Sequence, residues 1–334
     1  MEKFNDIRWG ILGCGDVCEI KSGPALNKVN HSKLIAVMRR DGKKAKDFAR
    51  RHGAPKYYDD ANLLINDPEV NAVYIATPPA FHEEYAIQCM KAGKPVYIEK
   101  PVALTSESCE RMLAAAQEFG VSASVAHYRR GLAVFKKIRS LLESGIIGTP
   151  SLILSNTLQA PSEKMKAADY WRTSPEISGG GLFFDLAPHQ LDIFYWLFGK
   201  PYIVRGFSVN QKSAYDAPDL TNVEAVFGDG VYLHGIWAFN LNPASEQETT
   251  EIIGERGKIV FSFFRKSDID IITADGKQTI TLDYPENIQQ PMIDEVVKFF
   301  RSEGPNPCSL EDALVSMRMM DSTRQSLVLS HISH

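Results

Sequence analysis

The sequence is poor in sulfur that can cross-link: its 334 residues include five cysteines, Cys14, Cys18, Cys89, Cys109 and Cys308, an odd number thinly spread. That excludes a disulfide-stapled scaffold, and Cys14-x-x-x-Cys18 has no second Cys or His pair at zinc spacing. The thiols read as reduced and structural. No apolar run approaches the roughly 20 residues a membrane span needs, and Met1–Ile11 carries scattered charges instead of a cleavable apolar stretch. A cytoplasmic location with no membrane partner is therefore expected. Charge of one sign is scarce as well: 37 Lys and Arg stand against 41 Asp and Glu, a net charge of -4. Nothing global recruits nucleic acid.

What is present is ordinary globular composition, 44% hydrophobic and 23% charged. At roughly 100–200 residues per domain, the length implies about two domains. Through the first third, short apolar runs alternate with amphipathic stretches, the pattern of a parallel sheet covered by helices on both faces. Strands are expected at Arg8–Leu12, Lys33–Arg39, Ala72–Ala76, Pro95–Ile98 and Val121–Val125, with helices between them that include Pro79–Ala92 and Ser106–Phe119. Ligands of such a sheet bind beyond the carboxyl ends of the strands. After about residue 126 the rhythm lengthens. Thr221–Phe227 and Val231–Phe239 flank Gly228-Asp229-Gly230, a hairpin signature. Further strands are expected at Ser151–Leu158, Tyr202–Val209, Thr249–Ile253, Lys258–Phe263, Ile269–Thr273 and Gln278–Leu282, and helices near Leu132–Ser144, Asp185–Phe198, Gln289–Arg301 and Leu310–Leu329. The fold class is thus α/β: a Rossmann doubly wound parallel sheet over 1–126, then an α+β domain over 127–334 with a large, mostly antiparallel open sheet, its last helix packing back on the first domain.

Gly13-x-Gly15-x-x-Cys18 follows the first strand and opens a helix, the setting in which a glycine-rich turn and helix N–H groups, here of Asp16 and Val17, meet a pyrophosphate. Cys18 replaces the third glycine. NAD sites usually carry an Asp or Glu about 20 residues on for the ribose 2′-OH. This sequence has Arg39 and Arg40 there, followed by Lys43 and Lys44. Guanidinium groups bind a 2′-phosphate that a carboxylate would repel, so NADP is favoured over NAD. The alternatives are a solvated basic helix start, or Asp41 reaching the ribose.

Three further segments complete a pattern: Ala76-Thr77-Pro78-Pro79-Ala80-Phe81-His82, Glu99-Lys100-Pro101, and Gly179-Gly180-Gly181 leading into Asp185-Leu-Ala-Pro188-His189-Gln-Leu-Asp192. In order and spacing the chain resembles the glucose–fructose oxidoreductase / inositol dehydrogenase / MocA (Gfo/Idh/MocA) family over nearly its whole length. The resemblance implies a nicotinamide cofactor held between the two domains. It implies that Thr77, Pro78 and His82 form the loop over the cofactor, that Glu99 and Lys100 belong to the lysine motif, and that Lys100, Asp185 and His189 are catalytic. Trp171 and Arg172 look like the Trp-Arg pair near the nicotinamide in sugar-reducing branches. Dimers or tetramers through the open sheet are also implied.

Chemistry gives these residues roles. Hydride transfer to a carbonyl leaves an alkoxide to protonate, and the reverse needs a base, so a titratable group must stand at hydrogen-bond distance. His189 has the right ordinary pKa, Asp185 four residues earlier can orient it or bond a substrate hydroxyl, and Lys100 supplies positive charge. Pro188 is expected in the first turn of its helix, which would then start near Asp185. Asp192 reads equally as a partner of the site or as a surface acid. His127, Tyr128, Arg129 and Arg130 border the cleft, the arginines facing either solvent or an inter-domain acid. No metal ligand cluster is visible. The expected activity is interconversion of a secondary alcohol and a ketone on a sugar, cyclitol or related polyol. The alternatives are a glycosidase or sugar-rearranging enzyme with tightly bound cofactor, and a cofactor-sensing regulator.

Overall fold

Short runs such as Ala72-Val-Tyr-Ile75 and Val96-Tyr-Ile98 are buried along their whole length, as strands covered on both faces must be. In this computed structural model, which describes residues 4–167 and 170–324, they are the centre of a six-stranded parallel sheet. Its strands are β1 (Ile7–Leu12), β2 (Ser32–Met38), β3 (Lys56–Tyr58), β4 (Ala72–Ile75), β5 (Val96–Ile98) and β6 (Ala123–Val125), in the order β3-β2-β1-β4-β5-β6. The order reverses between β1 and β4, opening a crevice at their carboxyl ends. Sequence patterning misses β3. It has three residues, none fully buried, and it exists because its backbone pairs with Ala36–Met38 of β2. Arg39, expected inside β2, lies one residue past it, its N–H bonded to the Tyr58 carbonyl.

The second sheet has eight strands: β7 (Pro150–Leu158), β8 (Pro201–Val209), β9 (Leu220–Phe227), β10 (Val231–Ala238), β11 (Gln247–Gly254), β12 (Gly257–Phe261), β13 (Asp268–Thr273) and β14 (Gly276–Thr281). Their order is β14-β13-β12-β11-β7-β10-β9-β8, antiparallel throughout except that β7 and β10 run parallel. β12 stops at Phe261, two residues short of expectation, because the chain turns around Glu248, whose Oε1 accepts from Phe263 N at 2.9 Å and Oε2 from Phe264 N at 3.0 Å.

Helix Leu182–Phe198 covers the inner face of this sheet, with Phe183 edge-on to Trp237 and Phe194 edge-on to Phe263. Buried Gln190 keys it to the strands, accepting from Trp237 Nε1 at 2.6 Å and donating to Thr157 Oγ1 at 3.0 Å. The helix corrects one expectation. It begins at Leu182, not at Asp185, so Pro188 lies in its interior and deprives the Phe184 carbonyl of its helical N–H. The tightly packed Phe183 and Phe184 hold the extra turn. Helix Leu310–Asp321 lies against helix Ser106–Phe119, with Asp321 accepting from Ser106 N at 2.7 Å. The expected extension of that helix over 325–329 falls outside the described residues.

Candidate active site

The first wall of the crevice is the turn after β1. Gly13 has φ +87, and a Cβ there would stand 2.8 Å from Thr77 N, so only glycine allows this turn against the loop after β4. Gly15 is different: a Cβ would meet nothing nearer than the Gly13 carbonyl at 3.9 Å. Space is thus left over the first N–H groups of helix Asp16–Ile20, where Asp16 and Val17 lie. Cys18, in the place of the third glycine, is fully buried, so a thiol fits where the helix meets the strand. Burial pushes it well above the ordinary thiol range and keeps it inert. All five cysteines are buried and unpaired by disulfides.

Beyond β2, Arg39 Nη1 reaches only the Cys14 carbonyl, at 3.4 Å, and Arg40 lies over the Phe81 ring at 5.4 Å. Asp41 caps helix Gly42–His52, its Oδ1 accepting from Lys43 N at 3.1 Å and Lys44 N at 3.2 Å.

Two loops meet above the sheet. His82, fully buried, approaches the Thr77 carbonyl at 2.7 Å with Nε2 and the Pro101 carbonyl at 3.0 Å with Nδ1. It ties the Thr77-Pro78-Pro79 turn to the Glu99-Lys100-Pro101 turn and so braces the loop expected over the cofactor. Glu99 also braces: its Oε1 accepts from Tyr74 OH at 2.5 Å and Gln289 Nε2 at 2.7 Å, and its Oε2 from Lys100 N at 3.1 Å. Thr77 Oγ1 and Gln289 Oε1 are buried with no partner. Such orphans are costly unless a ligand completes them. The open space at Gly15, the orphaned Thr77 hydroxyl and the Arg39-Arg40 pair fit a nicotinamide dinucleotide.

From the opposite domain comes Asp185. Lys100 Nζ donates to its Oδ1 at 2.8 Å and to its backbone oxygen at 2.7 Å, and Arg172 Nε donates to its Oδ2 at 3.0 Å. Burial pushes this carboxyl up, but the Lys100 and Arg172 charges outweigh it and hold it at about 2. Arg172 in turn stacks on Trp171 at 4.4 Å. Asp185 is therefore spent on two cations and does not orient His189, contrary to one of the two roles expected for it. The His189 ring, 6% exposed, lies instead between Tyr128, 5.1 Å away and edge-on, and Phe264, 5.9 Å away. Its Nδ1 is buried and unpartnered. Burial first, then the charges of Lys100 and Arg129, push it well below the usual histidine range. These surroundings favour the neutral imidazole.

Asp192 is neither surface acid nor partner of His189. It is 1% exposed and binds Arg130 through both oxygens, at 2.6 and 2.9 Å, while Arg130 also reaches Asp312 at 3.1 Å. His127, Asp192 and Cys308 place ligand atoms within 4.8 Å of one another. The Arg130 guanidinium already occupies both Asp192 oxygens, so this cluster has the chemistry of a salt bridge. Tyr128, expected to border the cleft from its place after β6, lies against His189; sequence reading missed Phe264, Tyr284 and Gln289, which carry no local signal.

A doubly wound parallel sheet joined to an open-sheet domain, with Lys100 of the first bonded to Asp185 on the helix that carries His189, is the architecture of a nicotinamide-dependent oxidoreductase. Sequence comparison agrees. Residues 7–127 match the model of the oxidoreductase family with NAD-binding Rossmann fold, and residues 135–260 match the GFO/IDH/MocA C-terminal domain. The chain belongs to the Gfo/Idh/MocA family of oxidoreductases. It is 41% identical over 322 residues to an oxidoreductase of Formosa agariphila, covering 94% of this chain and 97% of that one. It is 29% identical over 228 residues to the NADP(+) scyllo-inositol 2-dehydrogenase of Bacillus subtilis, covering 68% and 61%. The fold of a 3-ketoreductase from Actinomadura kijaniata, solved with NADP, superposes with a TM-score of 0.82 at 21% identity over 96% of this chain and 97% of that one. No described helix is long and apolar enough to cross a membrane.

Proposed function

We propose that this oxidoreductase interconverts a secondary alcohol and a ketone on a sugar, cyclitol or related polyol, with NADP preferred over NAD. The observation that carries the reading is the bond of Lys100 from one domain to Asp185 from the other, one helical turn before His189. Bound in the crevice, the nicotinamide supplies the hydride acceptor or donor. Lys100, held by the Asp185 carboxylate and backbone carbonyl, presents an ammonium to the substrate oxygen where negative charge develops. His189, neutral and without a partner at Nδ1, takes the hydroxyl proton in the oxidative direction. Asp185 acts through Lys100 and Arg172 as their positioning anion. Two arginines just past β2 that form no salt bridge among the described residues, and an Asp41 whose Oδ1 caps a helix, support the 2′-phosphate reading. The apolar side chains of Ile203, Phe207 and Val209 on β8 support a homodimer or homotetramer assembled through the open sheet. Screening sugars and polyols with each cofactor by nicotinamide absorbance tests the reading. Turnover with NADP is expected; a clear preference for NAD would remove the cofactor assignment, and turnover retained in Lys100→Ala or His189→Ala would remove the assigned roles.

A further inference from the structure

Arg129 has no place in the chemistry above, yet it is a buried cation beside it. It is 4% exposed, and its Nε and Nη1 are buried without a hydrogen-bond partner. Among the described residues no carboxylate pairs with it, in contrast to its neighbour Arg130, which has two. What surrounds the guanidinium is aromatic: Phe264 at 4.7 Å, Tyr128 at 5.3 Å, Phe135 at 5.7 Å and Phe263 at 5.9 Å. Ring faces attract a cation, but by less than the penalty of stripping water from a buried, unpaired charge. An anion is therefore missing from the balance.

The position of the guanidinium says where that anion belongs. Phe264 and Tyr128, the two rings nearest Arg129, are the same two that flank His189. Tyr284 adds a buried hydroxyl, also unpartnered, within electrostatic reach of Arg129. Asp185 is spent on Lys100 and Arg172, and the buried carboxylate nearest Tyr284, Glu248, is turned to Phe263 N, Phe264 N and Ser262 Oγ, so neither forms an ion pair with Arg129. Resting on the reading of His189 as the proton-transfer group, we infer that Arg129 receives a carboxylate carried by the substrate, so that the substrate class is sugar acids, uronates or aldonates, and not neutral sugars. A guanidinium fork matches a carboxylate in two bonds, and the Tyr284 hydroxyl stands by to donate a third.

The test compares kcat/KM of the wild-type enzyme, with NADP, on a panel of hexuronates and aldonates and on the corresponding neutral aldoses and alditols. The acids are expected to lead by about tenfold to a hundredfold, the yield of charge-assisted bonds to one group. In Arg129→Met that ratio collapses toward one, and Arg129→Lys, which keeps the charge but not the fork, gives an intermediate ratio. Neutral sugars served as well as their acids by the wild type would overturn the inference, as would a ratio that Arg129→Met leaves intact. Calorimetric titration of the NADP-loaded enzyme with D-glucuronate and D-gluconate separates this inference from the reading beneath it. Binding that Arg129→Met abolishes, with no absorbance change for any substrate, would sustain the carboxylate site and sink the hydride-transfer assignment. Absence of binding to the wild type together with turnover of neutral sugars would do the reverse.

Discussion

Replacing Asp185 with asparagine removes one negative charge and almost no volume from the point where the two domains meet. Two cations lose their counter-ion, while Lys100 keeps its 2.7 Å bond to the residue 185 carbonyl. The free-energy effect follows from the carboxyl being held at about 2 against an ordinary 3.8. At 1.36 kcal/mol per pKa unit, that is about 2 kcal/mol. Because the folded-state value is the depressed one, this stability is fully present above the unfolded value and is lost as pH falls through the folded one. Urea unfolding of wild type and Asp185→Asn should therefore differ by about 2 kcal/mol at pH 7 and still at about pH 5, with the gap closing as pH is lowered toward 3. In steady-state kinetics the same variant should lose about 10²-fold in kcat, since Lys100 and Arg172 are no longer drawn together beside the reacting oxygen. Its NADP dissociation constant should move by less than about threefold, because no ribose or phosphate contact is touched. Equal stability of the two proteins at pH 7, or a gap that persists unchanged toward pH 3, would refute the charge argument. Turnover within twofold of wild type would refute the positioning role.

Other expectations follow from the same geometry. His189→Ala should lower kcat by about 10²- to 10⁴-fold, and in the wild type the acid limb of kcat/KM for alcohol oxidation should fall below the ordinary histidine value of about 6.5, since burial and neighbouring cations depress this imidazole; a limb at or above that value would contradict the structure. Arg39→Ala combined with Arg40→Ala should raise the NADP dissociation constant about tenfold or more and leave that for NAD nearly unchanged, as read by fluorescence titration of the reduced cofactors. Asp192→Asn should cost about 2–3 kcal/mol of stability by removing the two-oxygen partner of buried Arg130, which is left with Asp312 alone, while folded molecules keep their kcat; a large kcat loss with normal stability would place Asp192 in the chemistry after all.

The parts of this molecule that were legible in its sequence are those set by local rules. The β1 strand followed by Gly13-x-Gly15, the apolar runs of β4 and β5, and the Gly228-Asp229-Gly230 hairpin all carry their structural cause within a few residues. Lys100, Asp185 and His189 were legible as a motif. Their couplings were not, because hydrogen bonding across 85 positions leaves no periodicity to read. Asp185 was expected to serve His189 because the two share a helix face, and the competing cations, Lys100 and Arg172, lie on other elements. The helix start was misplaced for a related reason: Pro188 argued for a first turn, and the burial of Phe183 and Phe184 against Trp237 and their own neighbours overrode it. β3, with no apolar pattern of its own, is specified by its neighbour β2.

The union of Lys100 with Asp185 also sets a condition on biosynthesis. The ammonium of Lys100 leaves the ribosome 85 residues ahead of the carboxylate that answers it. The first sheet, too, is completed late: Gln289 reaches Glu99, and the Cys308 carbonyl receives Val125 N, only after both sheets have been synthesised. A chain stopped short of those segments would lack the outer brace of the lysine turn even with all six parallel strands present.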